Sequence, residues 1–521
     1  LLIGERCADP VRPCWDVRTE ACTSALTTAG RIVTTSATEI LEKADDLRCI
    51  AAPTPGETVA LIEFLLAVCY ASDCCPETED EWEDWVIGRQ PLTAAAAWLR
   101  AQSAHEWDLF DPVAPFGQNA LLAPFLDEHG AGPAQLVIEH VGDYNQFFDH
   151  HHLEHPAPLP AAAAFRALLA QHIYGPGGRA RISGKETLGP AITNLAVTRL
   201  GSRIRVIAQG DTLGDTLRLN LAPYPQGPGT FNRTWTQKER RGFRTKPSGR
   251  SVDGPADLHT VLGRSCLLRP VIGTDGKVAV DRVLIGAGEL LAPLAAPYMQ
   301  DAVYATTAAG VAKPLWPSSS RALWREAHAL YAAVAERSKG TDLYSRLASL
   351  PSSWSVTLWA VGLVAKQTTA ITWVSDEFPF VPGREAALRQ AAETGARIAE
   401  HVAACLNKAA YTAWSVAYPN AKPADKKAQI ARFDTRNEHW AATAEPFHIL
   451  LEEAADDQPV TDALRTYAAA LHATARRLLE HRLASLPPNS RGFRARAEAT
   501  ERLSTELAKN NPAPAKEATP P

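Results

Sequence analysis

Four histidines crowd into GDYNQFFDHHHLEHP, residues 142–156: His150, His151, His152 and His155, with Asp149 and Glu154 among them. Imidazoles and carboxylates at short spacing are the donor set of a divalent metal. The spacing itself argues against one ion. Neighbouring residues point to opposite faces of a strand and diverge by about 100° on a helix, so three adjacent histidines rarely converge. His151 and His155 are four apart, but HExxH is missing, and Pro156 and Pro158 oppose a helix there. A metal-dependent nuclease or hydrolase using His150–His155 is therefore the alternative reading, and no metal or other cofactor is expected. Just ahead of the histidines stand Asn145, Gln146, Phe147 and Phe148. Amides can bond base edges and rings can stack on bases, which suits a loop that touches nucleic acid.

Two further stretches fit the same chemistry. FNRTWTQKERRGFRTKPSGR, residues 231–250, carries Arg233, Lys238, Arg240, Arg241, Arg244, Lys246 and Arg250 against Glu239 alone, with Trp235 and Phe243 interleaved. Basic groups neutralise phosphates and release counterions. The plainer reading is a solvated surface loop. IYGPGGRARISGK, residues 173–185, sets Gly175, Gly177 and Gly178 before Arg179, Arg181 and Lys185. Glycines let a backbone approach a ligand closely, although the stretch alone reads more simply as a tight turn. It is neither a P-loop nor a spaced GxGxxG. No GxSxG, catalytic-cysteine signature or paired carboxylates with a nearby base occur. Asp108 and Asp111 of WDLFDP read as turn caps. No catalytic residue is expected, and the chain reads as a non-enzyme.

The elements that hold these stretches follow from composition and period. The chain has 521 residues, 46% apolar and 21% charged, with a net charge of −5. That length suggests two to four domains, and so mild a charge requires any nucleic-acid contact to use a local basic patch. No apolar run approaches the ~18 residues of a membrane span. The start, LLIGERCADP, shows no signal-peptide pattern, and a cytoplasmic protein is expected. Nine cysteines, seven of them within the first 75 residues, form no CxxC pair and read as reduced thiols. LIEFLLAVCYA (61–71) reads as a buried helix, RIRVIAQG (203–210) and KVAVDRVLIGAG (277–288) as strands, and DTLGDTLRLNLAP (211–223) as a helix stopped by Pro223. SSWSVTLWAVGLV (352–364) is apolar throughout. From Arg384 the sequence turns Ala-rich and helical in period, with helices expected over 385–418, 441–457, 460–486 and 494–509. Short connections suit an antiparallel bundle. The fold class is thus α+β: a large mixed α/β domain over 1–383, a C-terminal four-helix bundle over 384–509, and a disordered tail over 510–521.

The order of the motifs is more specific than any one of them. WDLFDPVAPFGQ (107–118) is followed by NQFFDH, a helix over 161–172, YGPGG, a pair ending TLRLNL, the basic run, LLRPVIGTDGKVAVDRVLIGAGE and the bundle. Over about residues 50 to 508 this resembles the CasA family, the large subunit of the type I-E CRISPR Cascade complex. WDLFDPVAPFGQ is similar to the family's F-D-L-F-D-P-x-x-P-F-x-Q segment, and the YGPGG loop and the L-L-x-N-L helix also match.

The resemblance implies a function. The family's subunit recognises the protospacer-adjacent motif (PAM) on duplex DNA, helps open the duplex for R-loop formation and recruits a helicase-nuclease. Partners implied are guide CRISPR RNA, target double-stranded DNA, other Cascade subunits and that helicase-nuclease, with no membrane. By the same resemblance, Asn145 to Phe148 form the loop beside the guide end and the motif, with Phe148 foremost. Gly175, Gly177 and Gly178 form a glycine loop at the minor groove, where a side chain would strike the groove floor. Gln367, with Lys366 beside it, is the wedge that parts the first base pair. Arg233, Lys238, Arg240, Arg241, Arg244 and Lys246 make a basic patch, and His150–His155 become the polar return of the NQFF loop. The family's minor-groove lysine falls near Gly288-Glu289-Leu290, where this chain has none. The family's opening pattern is barely recognisable in LLIGERCADPVRPCW.

Overall fold

The computed structural model describes residues 13–140, 157–180, 190–224, 226–236, 248–299, 303–306, 312–318, 323–327, 330–331, 346–367, 369–420, 422, 425–456 and 458–509. Internal contacts group the chain into two units. The first takes Leu1–Leu323, Lys339–Leu350 and Val356–Glu377; the second takes Trp324–Ser338, Pro351–Ser355 and Phe378–Pro521.

The first unit is built around the helix Pro55–Ala71. Thr54 accepts from the Glu57 amide and Pro55 opens the first turn, two ordinary start signals. Its residues are apolar on nearly every side, which is why it is buried all round. Phe64 on this helix meets the rings of Trp107, Phe116, Phe165 and Phe231 at centroid distances of 5.7–6.3 Å. The helices Ala161–Tyr174 and Pro255–His259 pack against it. Buried Glu63 binds the guanidiniums of Arg199 and Arg205 and the Nδ1 of His259. Burying so much charge is tolerable only because the groups are paired.

Among the described residues, three sheets have three strands each. Thr23–Thr27 lies between Ile32–Thr35 and Leu47–Ile50. Arg264–Ile272 and Val278–Ala287 form a long hairpin, with Leu159–Pro160 on its edge. Gly276, at φ +76°, supplies the turn expected at TDG. In the third sheet Val356–Lys366 is central, between Ile204–Gln209 and Thr369–Phe380. Thus the expected strands form, and the apolar run near 352–364 becomes a sheet's middle strand. The helix Leu213–Asn220 stops ahead of Pro223 as expected.

The second unit holds four long helices: Glu385–Ala417, Arg436–Ala455, Val460–Leu483 and Ser490–Lys509. The first packs against each of the other three. Its buried stripe runs Leu388, Ala391, Ala392, Gly395, Ile398, Ala399 and Val402, the period of an amphipathic helix. The second begins earlier than expected and carries Pro446 inside it, and the fourth begins at Ser490. A short helix, Lys426–Ala431, was not anticipated. Trp324, from the segment ahead of the bundle, stacks against Trp440 and Phe447, with Arg325 over Trp440 and paired to Glu400. The eight described cysteines are free thiols, and burial pushes Cys22 and Cys266 up to about 12. Among the described residues no helix is long and apolar enough to cross a membrane.

Candidate nucleic-acid interface

The expected wedge lies at the tip of the hairpin formed by Val356–Lys366 and Thr369–Phe380. Pairing with Ile204–Gln209 runs from Thr357–Gln209 to Gly362–Ile204, so the hairpin continues past the end of its neighbouring strand. Leu363 and Val364 are still buried, Ala365 is half-buried, and Lys366 and Gln367 are exposed. Gln367 has φ +54°. Tight hairpin turns need positive φ and normally recruit Gly, Asn or Asp for it. A glutamine there accepts backbone strain, and such outliers favour a functional hypothesis.

The glycine loop follows the helix Ala161–Tyr174, whose last residue is fully buried. Gly178 pairs with Leu195 and Arg179 with Asn194, folding the loop back as a short ribbon. Behind it sits Arg264, 2% exposed. Its guanidinium donates to the carbonyls of Pro176, Ala196 and Gly263, so one side chain ties the loop to two other segments. None of these partners is a carboxylate, and burial lowers its pKa to about 10. A Cβ on Gly175 would stand 2.6 Å from Arg264 Nη2 and from the Gln171 carbonyl, and one on Gly177 would stand 2.8 Å from Val197 Cγ2. The backbone itself therefore excludes a side chain at Gly175, without any appeal to a groove floor, whereas at Gly177 a Cβ collides only with the methyl of exposed Val197. Arg264 carried no sequence signal beyond opening an apolar strand.

The basic run is corrected where it is described. Arg233 bonds Glu106 and Gln102 and lies over Trp98 at 5.9 Å, so its charge is engaged within the fold. Trp235 is 3% exposed, packs on Phe116 and donates to the Glu106 carbonyl, which removes it as a base-stacking ring. Arg250 is clamped by Asp257 and Glu289, which also excludes it as a free phosphate contact. Glu289, in the stretch near which the resemblance sets the family's lysine, has its side chain 5% exposed and also accepts from Asn232 and the Leu262 amide. Lys238, Arg240, Arg241, Arg244 and Lys246 lie outside the described residues, as do Asn145, Gln146, Phe147, Phe148 and His150–His155.

Asp108 accepts from the amides of Trp15 and Phe110, and Asp111 from those of Val113 and Ala114, the turn-capping roles expected of them. Among the described residues no group of three His, Cys, Asp or Glu side chains could hold a metal.

Solved structures set the class. The structure of CasA (Cse1) from Thermus thermophilus superposes with TM-score 0.73 at 20% identity, covering 95% of this chain and 99% of that one. A chain of a CRISPR RNA-guided surveillance complex gives 0.70 at 20% identity, covering 95% and 100%. At that identity the likeness is one of fold: a mixed α/β unit with a helical bundle. In sequence, the chain is 32% identical over 199 residues to the Thermus thermophilus CRISPR-associated protein CasA/Cse1, a stretch spanning 37% of each protein. The model of the family CRISPR-associated protein Cse1 matches residues 24–478, and the chain belongs to that family.

Proposed function

We propose that this chain is the large subunit of a CRISPR RNA-guided surveillance complex, where it recognises the PAM in double-stranded DNA, helps open the duplex for R-loop formation and recruits a helicase-nuclease. Its partners in this reading are guide RNA, target DNA, other Cascade subunits and the helicase-nuclease, and its role is non-enzymatic. Family membership supports the setting. The observation that carries the site is the exposed hairpin tip, where Lys366 and a positive-φ Gln367 project beyond the neighbouring strand. A planar amide inserted between base pairs can replace lost hydrogen bonds and stacking when strands part, an event that costs a few kcal/mol per step. Gly177 and Gly178, which keep some exposed surface, contact the minor groove, whereas Gly175 is buried against Arg264 and supports the loop from within; Asn145–Phe148 reach the guide end. Because the minor groove separates A·T from G·C but little else, motif reading there is permissive. Residues 1–383 carry recognition and nucleic-acid contact.

The test is omission. A complex assembled on guide RNA with and without this chain is titrated with matched duplexes that bear or lack the motif. The proposal predicts that motif-dependent capture and R-loop formation disappear without the chain. Equal capture in both preparations would contradict it.

A further inference from the structure

The residues assigned to DNA come from three separate stretches of chain, and opening a base pair requires that they act at one place. One side chain of the hairpin meets both the residue before the glycine loop and the turn that precedes the NQFF segment in sequence. Trp373 lies on Thr369–Phe380, the return strand of the wedge hairpin. Its ring meets the ring of Tyr174 edge-on, at 4.8 Å between centroids and 89° between planes. Tyr174 is fully buried and directly precedes Gly175 of the glycine loop. The indole Nε1–H donates to Glu139 Oε1. Glu139 belongs to the short turn Ile138–His140, which leads into the segment holding Asn145–Phe148. Beneath the indole is Gly56, in the first turn of the central helix, and a Cβ at that position would overlap the six-membered ring. Thus the indole has a seat in the core, an aromatic contact to the residue before the glycine loop and a hydrogen bond to the turn that precedes the NQFF segment in sequence.

We infer that Trp373 is the positioning residue that fixes the wedge hairpin relative to the glycine loop and to the turn Ile138–His140, so that motif contact and strand parting occur in register. This rests on the functional reading above. The physical basis is packing: close-packed interiors transmit displacement, and a tilt of the indole must move Tyr174, Glu139 or the hairpin. The role is distinct from stability, because Trp373 is only half-buried and the hairpin keeps its pairing with Ile204–Gln209 through other residues.

The experiment uses the complex assembled on guide RNA. Trp373→Phe keeps a ring against Tyr174 but loses the hydrogen bond; Glu139→Ala removes the acceptor; Glu139→Gln keeps one. Each is titrated with a closed motif-bearing duplex and with the same target already opened, and each free chain is checked by thermal unfolding. Trp373→Phe and Glu139→Ala should weaken closed-duplex binding about tenfold while leaving the pre-opened target within about twofold, and Glu139→Gln should restore it. The double variant Trp373→Phe, Gln367→Ala should open DNA no worse than Gln367→Ala alone, because both changes disable one device. Equal losses on closed and opened targets, or losses that multiply in the double variant, overturn the inference. Gln367→Ala run in parallel separates the two ways to fail. If Gln367→Ala opens DNA normally, the wedge reading falls and takes this coupling with it. If Gln367→Ala is defective while Trp373→Phe and Glu139→Ala are normal, the coupling alone falls.

Discussion

His172 shows how closely individual side chains near the glycine loop are specified. Its Nε2–H donates to the Gly117 carbonyl, and its Nδ1 accepts from the Arg264 amide at 3.4 Å. That pattern requires a neutral ring, and burial lowers its pKa from 6.5 to about 4. The folded pKa is depressed, so the unfolded chain takes up the proton first as pH falls. Its contribution to stability is complete above pH 6.5 and is lost progressively down to about pH 4. The drop from 6.5 to about 4, at 1.36 kcal/mol per pKa step, sets an upper bound of about 3 to 4 kcal/mol. Unfolding free energies of the wild type and His172→Gln, measured from pH 7 to 4, should show a flatter acid limb for the variant. Parallel limbs would mean that His172 is protonated or exposed in the folded state. Nothing in the sequence distinguished His172 from the histidines of the 150–155 run, because burial and tautomer arise from residues distant in the chain.

At the scale of elements, the glycine loop and the apolar strand that leads to Lys366 were each legible for a different reason. YGPGG announced a turn through its glycines, but the need for Gly175 lies in Gln171 and Arg264, whose approach is a tertiary fact. Gly175→Ala should therefore destabilise the free chain by about 1–3 kcal/mol through overpacking against the Gln171 carbonyl, with no DNA present. Urea unfolding checks this, and an unchanged midpoint would remove the internal-packing account of the loop. The hairpin's apolar run was visible, whereas its partner was not. Val356–Lys366 pairs with Ile204–Gln209, far away in sequence, and no local pattern encodes that pairing. The basic run was misread in part for a related reason. Arg233 and Arg250 look free in sequence because Glu106, Asp257 and Glu289, which neutralise them, lie elsewhere.

Across the whole molecule, periodicity served best where contacts are local. The Ala-rich stripe after residue 383 specified the bundle helices to within a few residues at most ends, since one amphipathic face suffices to define each. The first unit depends on long-range pairing, and its buried carboxylate Glu63 collects two guanidiniums and an imidazole from three distant positions. The order of its motifs survived this ambiguity and pointed to the family that the chain belongs to. The account as a whole turns on whether the hairpin tip parts base pairs. The direct measurement is a titration of assembled complexes, wild type and Gln367→Ala, against matched closed and pre-opened motif-bearing targets. The account predicts that Gln367→Ala weakens closed-duplex binding about tenfold or more, the worth of part of one unstacking step, while pre-opened targets bind as before. Equal weakening on both targets, or none on either, would contradict it.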